Sequence, residues 1–595
     1  MQSMTRWLVV FLAATLSVSA HAQLTKPVRN NETMILVTGN RDAKVKMSKW
    51  RAAETPHVVV FGEHDEKRLG ETARNLETLH FLLSTFLGRL GAPDDTIKIA
   101  VTMIGDIGAF EQMQLTELRW QYGPFPERFA KMLYYDPREE GSVLATPRDG
   151  VNLVLSPSRG RATNRNCDGT DDGIEFLPPV HVNYRVDPMT GELKVDENQI
   201  LAQMSVNELT FCQSAESRLY SGFAQNYLLT YFPAAYPRWF LQGFGEIFAT
   251  LKTGDDFVEY GRVPKGYSDV IKHFGRYPVT HVLGGQYLSG TGRHWTPYHA
   301  WQLVHLLYFS DEWKPRLHEY LNALAQGTDP QTAASALGDP AQLQRALNGY
   351  RGRKVQSTKV TFPSELVPEP IIRRLTRAEA ALIRGRLELG ARVEIPDGDD
   401  GERNATLARR EAWLTRLREN AQRYPDRIEH QLLLAEAECR TGHAEECLAA
   451  AERALARSPK DTTAMVWKGT ALAQLAVRGP ATERENRLKE ARQLIVQANR
   501  MDPQDILPII AYHQTFVIAD EPTPDIAMEG MAKVVVSAPA SPTSRLKLGQ
   551  ELIKRDLKDA TRITLLPVAK GPFNTPEQPT ADLLLKEAMA SAPDS

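Results

Sequence analysis

One spacing in the last third of the chain limits what it can build. Cys447, Ala491 and Ala527 each stand 12 residues before a proline, at Pro459, Pro503 and Pro539. Ala454 and Ala498 follow the first two marks by seven residues, and Gly442 sits where the first unit would turn. A small residue lets two helices touch. A proline ends the second helix, because its ring crowds the preceding turn and it has no backbone N–H to give. Units of this kind cannot bury their apolar faces alone, so neighbours must stack. The marks lie 44 and 36 residues apart, and 477–486 (VRGPATEREN) reads as an insertion in the second unit.

The pattern resembles the tetratricopeptide repeat over residues 428–540, although the usual period is 34 and the third unit lacks most of the aromatic pattern. The resemblance implies an all-α helical-repeat domain with a concave face for a protein or peptide partner. Residues 541–595 read as a C-terminal helical tail. Upstream, 353–375 is polar and proline-bearing, and 395–404 (IPDGDDGERN) is an acidic loop. Residues 361–427 are therefore expected to be a linker and helical connection.

The chain starts with a different texture. Residues 34–38, 57–61, 97–104, 151–155 and 180–184 are short β-branched runs that predict strands. Between the second and third, Leu69, Leu76, Leu79, Leu82, Leu83, Phe86 and Leu87 recur at helical spacing. From Asn207 the signals turn helical, over 207–231, 238–252, 296–309 and 312–325. Residues 23–360 thus read as an α+β domain.

Its most informative stretch is 216–250, ESRLYSGFAQNYLLTYFPAAYPRWFLQGFGEIFAT. Two helices flank a proline-containing turn. This layout resembles the gluzincin-type, peptidase MA-like metallopeptidases, and so implies a zincin-like fold. In that family one helix carries H-E-x-x-H, and the next opens with a phrase close to P-x-W-x-x-E-G-x-A-E. Histidines at i and i+4 share a helix face, the Glu between them activates water, and a carboxylate from the next helix completes the zinc site. Here the scaffold residues match and the chemical ones do not. Ser221 and Gln225 stand at the two His positions, Gly222 at the general base, and Gln242 at the third ligand. Glu246, one turn later, is the remaining carboxylate, and Tyr298 in the family-like helix 296–309 is a remnant that would face a substrate carbonyl. Hydroxyl and amide oxygens are weak zinc ligands beside imidazole and carboxylate, so no bound metal or other cofactor is expected.

No second active site stands out. His294, His299 and His305 cluster in sequence but do not share a helix face closely. His57 and His64 flank a strand, and His80 lies in an apolar helix; all are expected to be surface or hydrogen-bonded core histidines. Ser221 lacks the G-x-S-x-G elbow of a nucleophile. Asp168, Asp171 and Asp172 read as a solvated turn.

Composition narrows the classes of function. With 71 basic and 73 acidic side chains, the chain has no basic excess for nucleic acid or an anionic membrane surface. Arg6, the apolar run 7–18 and Ala20-His21-Ala22 predict an export signal cleaved after Ala22, with no membrane span in the mature chain and a periplasmic or secreted destination. In that oxidising setting Cys167, Cys212, Cys439 and Cys447 suggest one disulfide per half, although three pairings are open. The sequence thus predicts an exported, catalytically inactive peptidase-like protein that binds a protein or peptide through 428–540. The alternatives are a hydrolase of peptides or cell-wall material with a non-standard site, and a structural assembly protein. Nothing in the sequence sets the oligomeric state.

Overall fold

The computed structural model describes residues 46–89, 98–105, 107–115, 133–148, 215–264, 278–285, 299–350, 355, 357–395, 399–573 and 575–590, with backbone only for residues 292–298 and for the short strands between 151 and 213. The export signal, the strands expected at 34–38 and 180–184, the CDGTDD turn and Cys167 lie outside the described residues. Among the described residues no helix is long and apolar enough to cross a membrane.

A six-stranded mixed sheet organises the first half. Its strands are β1 (Met47–Glu54), β2 (Val58–Gly62), β3 (Ile99–Ile104), β4 (Tyr134–Arg138), β5 (Gly141–Pro147) and β6 (Ile371–Thr376), in the order β6-β1-β2-β3-β5-β4. The β2–β3 and β3–β5 pairs are parallel and the rest antiparallel. Helix α1 (Glu66–Phe86) crosses from β2 to β3, and Asp65 caps it by accepting from the Arg68 N–H at 2.8 Å.

Alternation along the strands loads both faces of the sheet. Ala53, Val60, Val101 and Leu144 face α1, α2 (Ala215–Tyr231), α3 (Arg238–Phe248) and α4 (Gly292–Phe309). Ala52, Val143 and Ala145 face the other way, against Ile383 and Leu387 of α6 (Arg377–Leu387). Between them in the chain lies α5 (Lys314–Ala325). A capping box between Thr376 and Glu379 starts α6 directly from β6. The stretch read as a linker therefore supplies an edge strand and the lead into a core helix. Its polar look follows from position: at the sheet edge Leu375 and Ile372 pack inward while Ile371, Arg373 and Arg374 stay exposed. The helix expected from 207 also differs. Leu209–Gln213 is a strand paired with Val151–Leu155, and α2 starts at Ala215.

Beyond α7 (Asp400–Arg423) the chain is all helical and repeats. The pairs are α8 (Ile428–Arg440) with α9 (Ala444–Arg457), α10 (Thr462–Arg478) with α11 (Ala481–Met501), α12 (Leu507–Ala519) with α13 (Asp525–Ser537), and α14 (Pro542–Lys554) with α15 (Lys558–Ala569). Helix α16 (Gln578–Ala590) covers the last pair. Pro459, Pro503 and Pro539 each fall just past a second helix, as the spacing predicts. Gly442 makes its turn at φ +87°, a conformation that favours glycine. The insertion does not loop out. It lengthens α10 to 17 residues and α11 to 21, against 13 and 14 in the first pair. The tail contains a fourth pair that the proline count did not mark. Ala435, Gly469 and Gly549 hold the same place in the first helices of pairs one, two and four. A Cβ on Gly469 would come within 2.9 Å of the Ala491 carbonyl oxygen, so this is where the helices touch.

The repeats return to the first half. Ser544 Oγ donates to Glu139 at 2.8 Å, Arg562 donates to the Gly327 carbonyl, and Phe573 meets Tyr135 with ring centroids 5.7 Å apart. Ala235 is buried with Leu565, Leu566 and Val568.

Candidate functional site

The positions aligned to the zinc frame lie at a buried crossing of α2 and α3. Ser221, Gln225, Gln242 and Glu246 are 0–7% exposed. Gly245 lets α3 close on α2: a Cβ there would lie 2.6 Å from both Ser221 Oγ and Gln225 Nε2. Gly222 is equally confined, by Leu133 at 2.4 Å from its would-be Cβ. Glu246 Oε1 receives the Arg218 guanidinium at 2.6 Å and the Ser221 hydroxyl at 3.4 Å, and Gln225 Nε2 donates to Ser221 Oγ at 3.2 Å. Ser221, Gln225 and Glu246 therefore converge, with Arg218 as the resident positive charge. Gln242 is buried on α3 without joining this network, and its Oε1 finds no hydrogen-bond donor among the described residues. Tyr298 falls on α4, with its side chain outside the described residues. The Ser221 hydroxyl points to a carboxylate that Arg218 already pairs.

The large opening lies elsewhere. A chamber of about 2560 Å³ separates the turn between α2 and α3 from the inner surface of the repeats. Tyr231, Phe232 and Tyr236 line one wall, and Trp467, Ile510 and Val536 the other. The β4–β5 turn reaches into it, bearing Glu139 and Glu140. Burial pushes the Glu139 carboxyl up, but Lys547, Arg440 and the Ser544 hydroxyl outweigh it and hold the group below its ordinary value. Burial and then Glu436 raise Glu140 above its ordinary value, against Arg386 and Arg440. This acidic turn ties the first repeat to the fourth, and nothing in its sequence marks it apart from other polar turns.

Two histidine expectations diverge. His305 is a satisfied core residue, with Nδ1 2.6 Å from Tyr350 Oη and Nε2 2.8 Å from the Gly261 carbonyl oxygen. His57 and His80, by contrast, gather with Glu77: the three offer ligand-type atoms within 4.8 Å of one another. Glu77 and His80 share a face of α1, a spacing legible in the sequence, whereas His57 arrives from the β1–β2 turn. Burial raises the Glu77 carboxyl, but the hydrogen bond and charge of His57 prevail and lower it.

Cys439 and Cys447 form a disulfide joining α8 to α9, the second-half bridge. Cys212 lies on the Leu209–Gln213 strand, and its expected partner is not among the described residues.

No protein-family profile matches the chain, and no curated protein does. Among solved structures, a thermophilic TPR protein of Thermus thermophilus is similar at 16% identity over 36% of this chain and 99% of that one. The TM-score is 0.29, too low to carry weight for the fold.

Proposed function

We propose that this is an exported, catalytically silent protein of zincin-like ancestry that binds an extended polypeptide segment in the chamber between its halves. The observation that carries the reading is the chamber itself. At about 2560 Å³ it is more than twice the ~1,000 Å³ upper range of small-molecule sites. Its walls mix aromatic and aliphatic surface with the side-chain amide of Gln514, which can pair with a peptide backbone. The closure of the repeats onto the first half favours a chain over a folded domain as guest. The silent-peptidase part is supported by the α2–α3 crossing, where hydroxyl, amide and guanidinium groups meet in place of imidazoles.

The test uses the full chain and a fluorescent unfolded probe, reduced and carboxymethylated lactalbumin, with native lactalbumin as the folded control. Saturable binding of the unfolded probe alone is expected, weakened at least tenfold by Val536→Asp at an exposed chamber position. Equal binding by wild type and variant, or none by wild type, overturns the chamber reading. Hydrolysis of the probe that disappears in Ser221→Ala overturns the silent-site reading.

A further inference from the structure

We propose that His57, Glu77 and His80 form a binding site for a divalent first-row transition metal, separate from the α2–α3 crossing. Two imidazoles and one carboxylate are a donor set suited to zinc, cobalt, nickel or copper. Three features of the structure assemble it. Glu77 and His80 are three apart on α1, so the helix itself presents both to one point. The β1–β2 turn delivers His57 opposite them, and its backbone N–H holds Glu77 Oε2 at 3.2 Å, which fixes the carboxylate. Glu77 and His80 are buried, while the His57 side chain is 26% exposed, so the cluster has a way in.

His57 Nδ1 and Glu77 Oε1 stand 2.5 Å apart, joined by one hydrogen-bonding proton. A metal ion would displace that proton, because its ligands must be deprotonated. The ligand atoms of a tetrahedral zinc site lie about 3.3–3.5 Å apart, set by bonds of about 2.0–2.1 Å, so the pair must open slightly. The rings of His57 and His80 are stacked, with centroids 3.7 Å apart and planes at 9°. Each lone pair lies in its own ring plane, so those of stacked rings cannot converge on one ion, and binding turns the His57 ring out of the stack. His57 is the member with solvent beside it, and it can make that turn without disturbing α1. His80 is held edge-on by Tyr227, with centroids 5.2 Å apart, and stays in place.

The experiment titrates Co²⁺ and then Zn²⁺ into the full chain, stripped with chelator and freed of any affinity tag. Cobalt is read from its visible d–d bands and zinc by competition. Wild type is expected to take up one equivalent with saturable bands that zinc abolishes. His57→Ala, at the partly exposed position, and Glu77→Gln should each weaken uptake at least tenfold while keeping wild-type circular dichroism. Absence of saturable uptake by wild type overturns the proposal. So does uptake unchanged in either variant. If Glu77→Gln loses its fold, His57→Ala alone decides.

Discussion

At the scale of single residues, buried charges carry the clearest consequences. Arg218 and Glu246 are 11% and 0% exposed as side chains, so losing Arg218 takes an ion-pair partner from a buried carboxylate. Arg218→Ala is expected to cost about 3–5 kcal/mol, measured by denaturant unfolding, because it breaks a buried ion pair from one side. His430 joins α8 to α6 through the Ala378 carbonyl at 3.1 Å, and burial lowers its pKa to about 4. The unfolded chain takes up that proton nearer pH 6.5, so stability is retained above that value. It should fall by on the order of 2–3 kcal/mol as pH drops toward 4. His430→Gln, compared with wild type over that window, should flatten the decline. Part of the crossing was legible at this scale: Ser221, Gln225 and Glu246 meet, whereas Gln242, read as the third-ligand position, stays outside their network. Arg218, which supplies the charge there, was not, because one arginine on an amphipathic helix carries no sign of which carboxylate it will face.

At the scale of elements, small residues set how closely helices approach. Gly469→Val should destabilise the second pair by about 1–3 kcal/mol, since the added methyls meet Ile495 and the Ala491 carbonyl. The same change at exposed Gly401, in the first turn of α7, is the control. The Cys439–Cys447 bridge closes a loop of eight residues. Replacing both with serine should cost about 2–3 kcal/mol in equilibrium unfolding by the chain-entropy estimate. Proline spacing revealed three helix pairs because each proline follows a second helix. The fourth was missed although Ala560 stands 12 residues before Pro572, because Pro567 sits inside α15 where the first two pairs carry Ala454 and Ala498. Strands β1, β4 and β5 were missed for a related reason. Runs such as MSKWRAAE and YYDPR are rich in polar residues, and their burial is decided by α6 and the repeats, far off in sequence.

At the scale of the whole molecule, the acidic turn links parts that sequence separates. Glu139→Ala should release Ser544 and Lys547 together and speed amide exchange across α14 and α15, with little change in α8 and α9. Equal protection in both regions would show that the contact between Ala235 and α15 suffices to hold the closure. Such closure cannot be read from local pattern, since each side of it looks like ordinary polar surface.

The completion of the sheet by β6 also has a consequence in time. Ser48 on β1 bonds the Leu375 carbonyl across 327 residues of chain. At about 5–20 residues per second, β1 leaves the ribosome roughly 16–65 s before its edge partner exists. During that interval β1 presents an unpaired edge, open to pairing with any other nascent strand. A chain built this way has reason to be met early by a chaperone, and its yield should depend on how soon residues 371–376 follow.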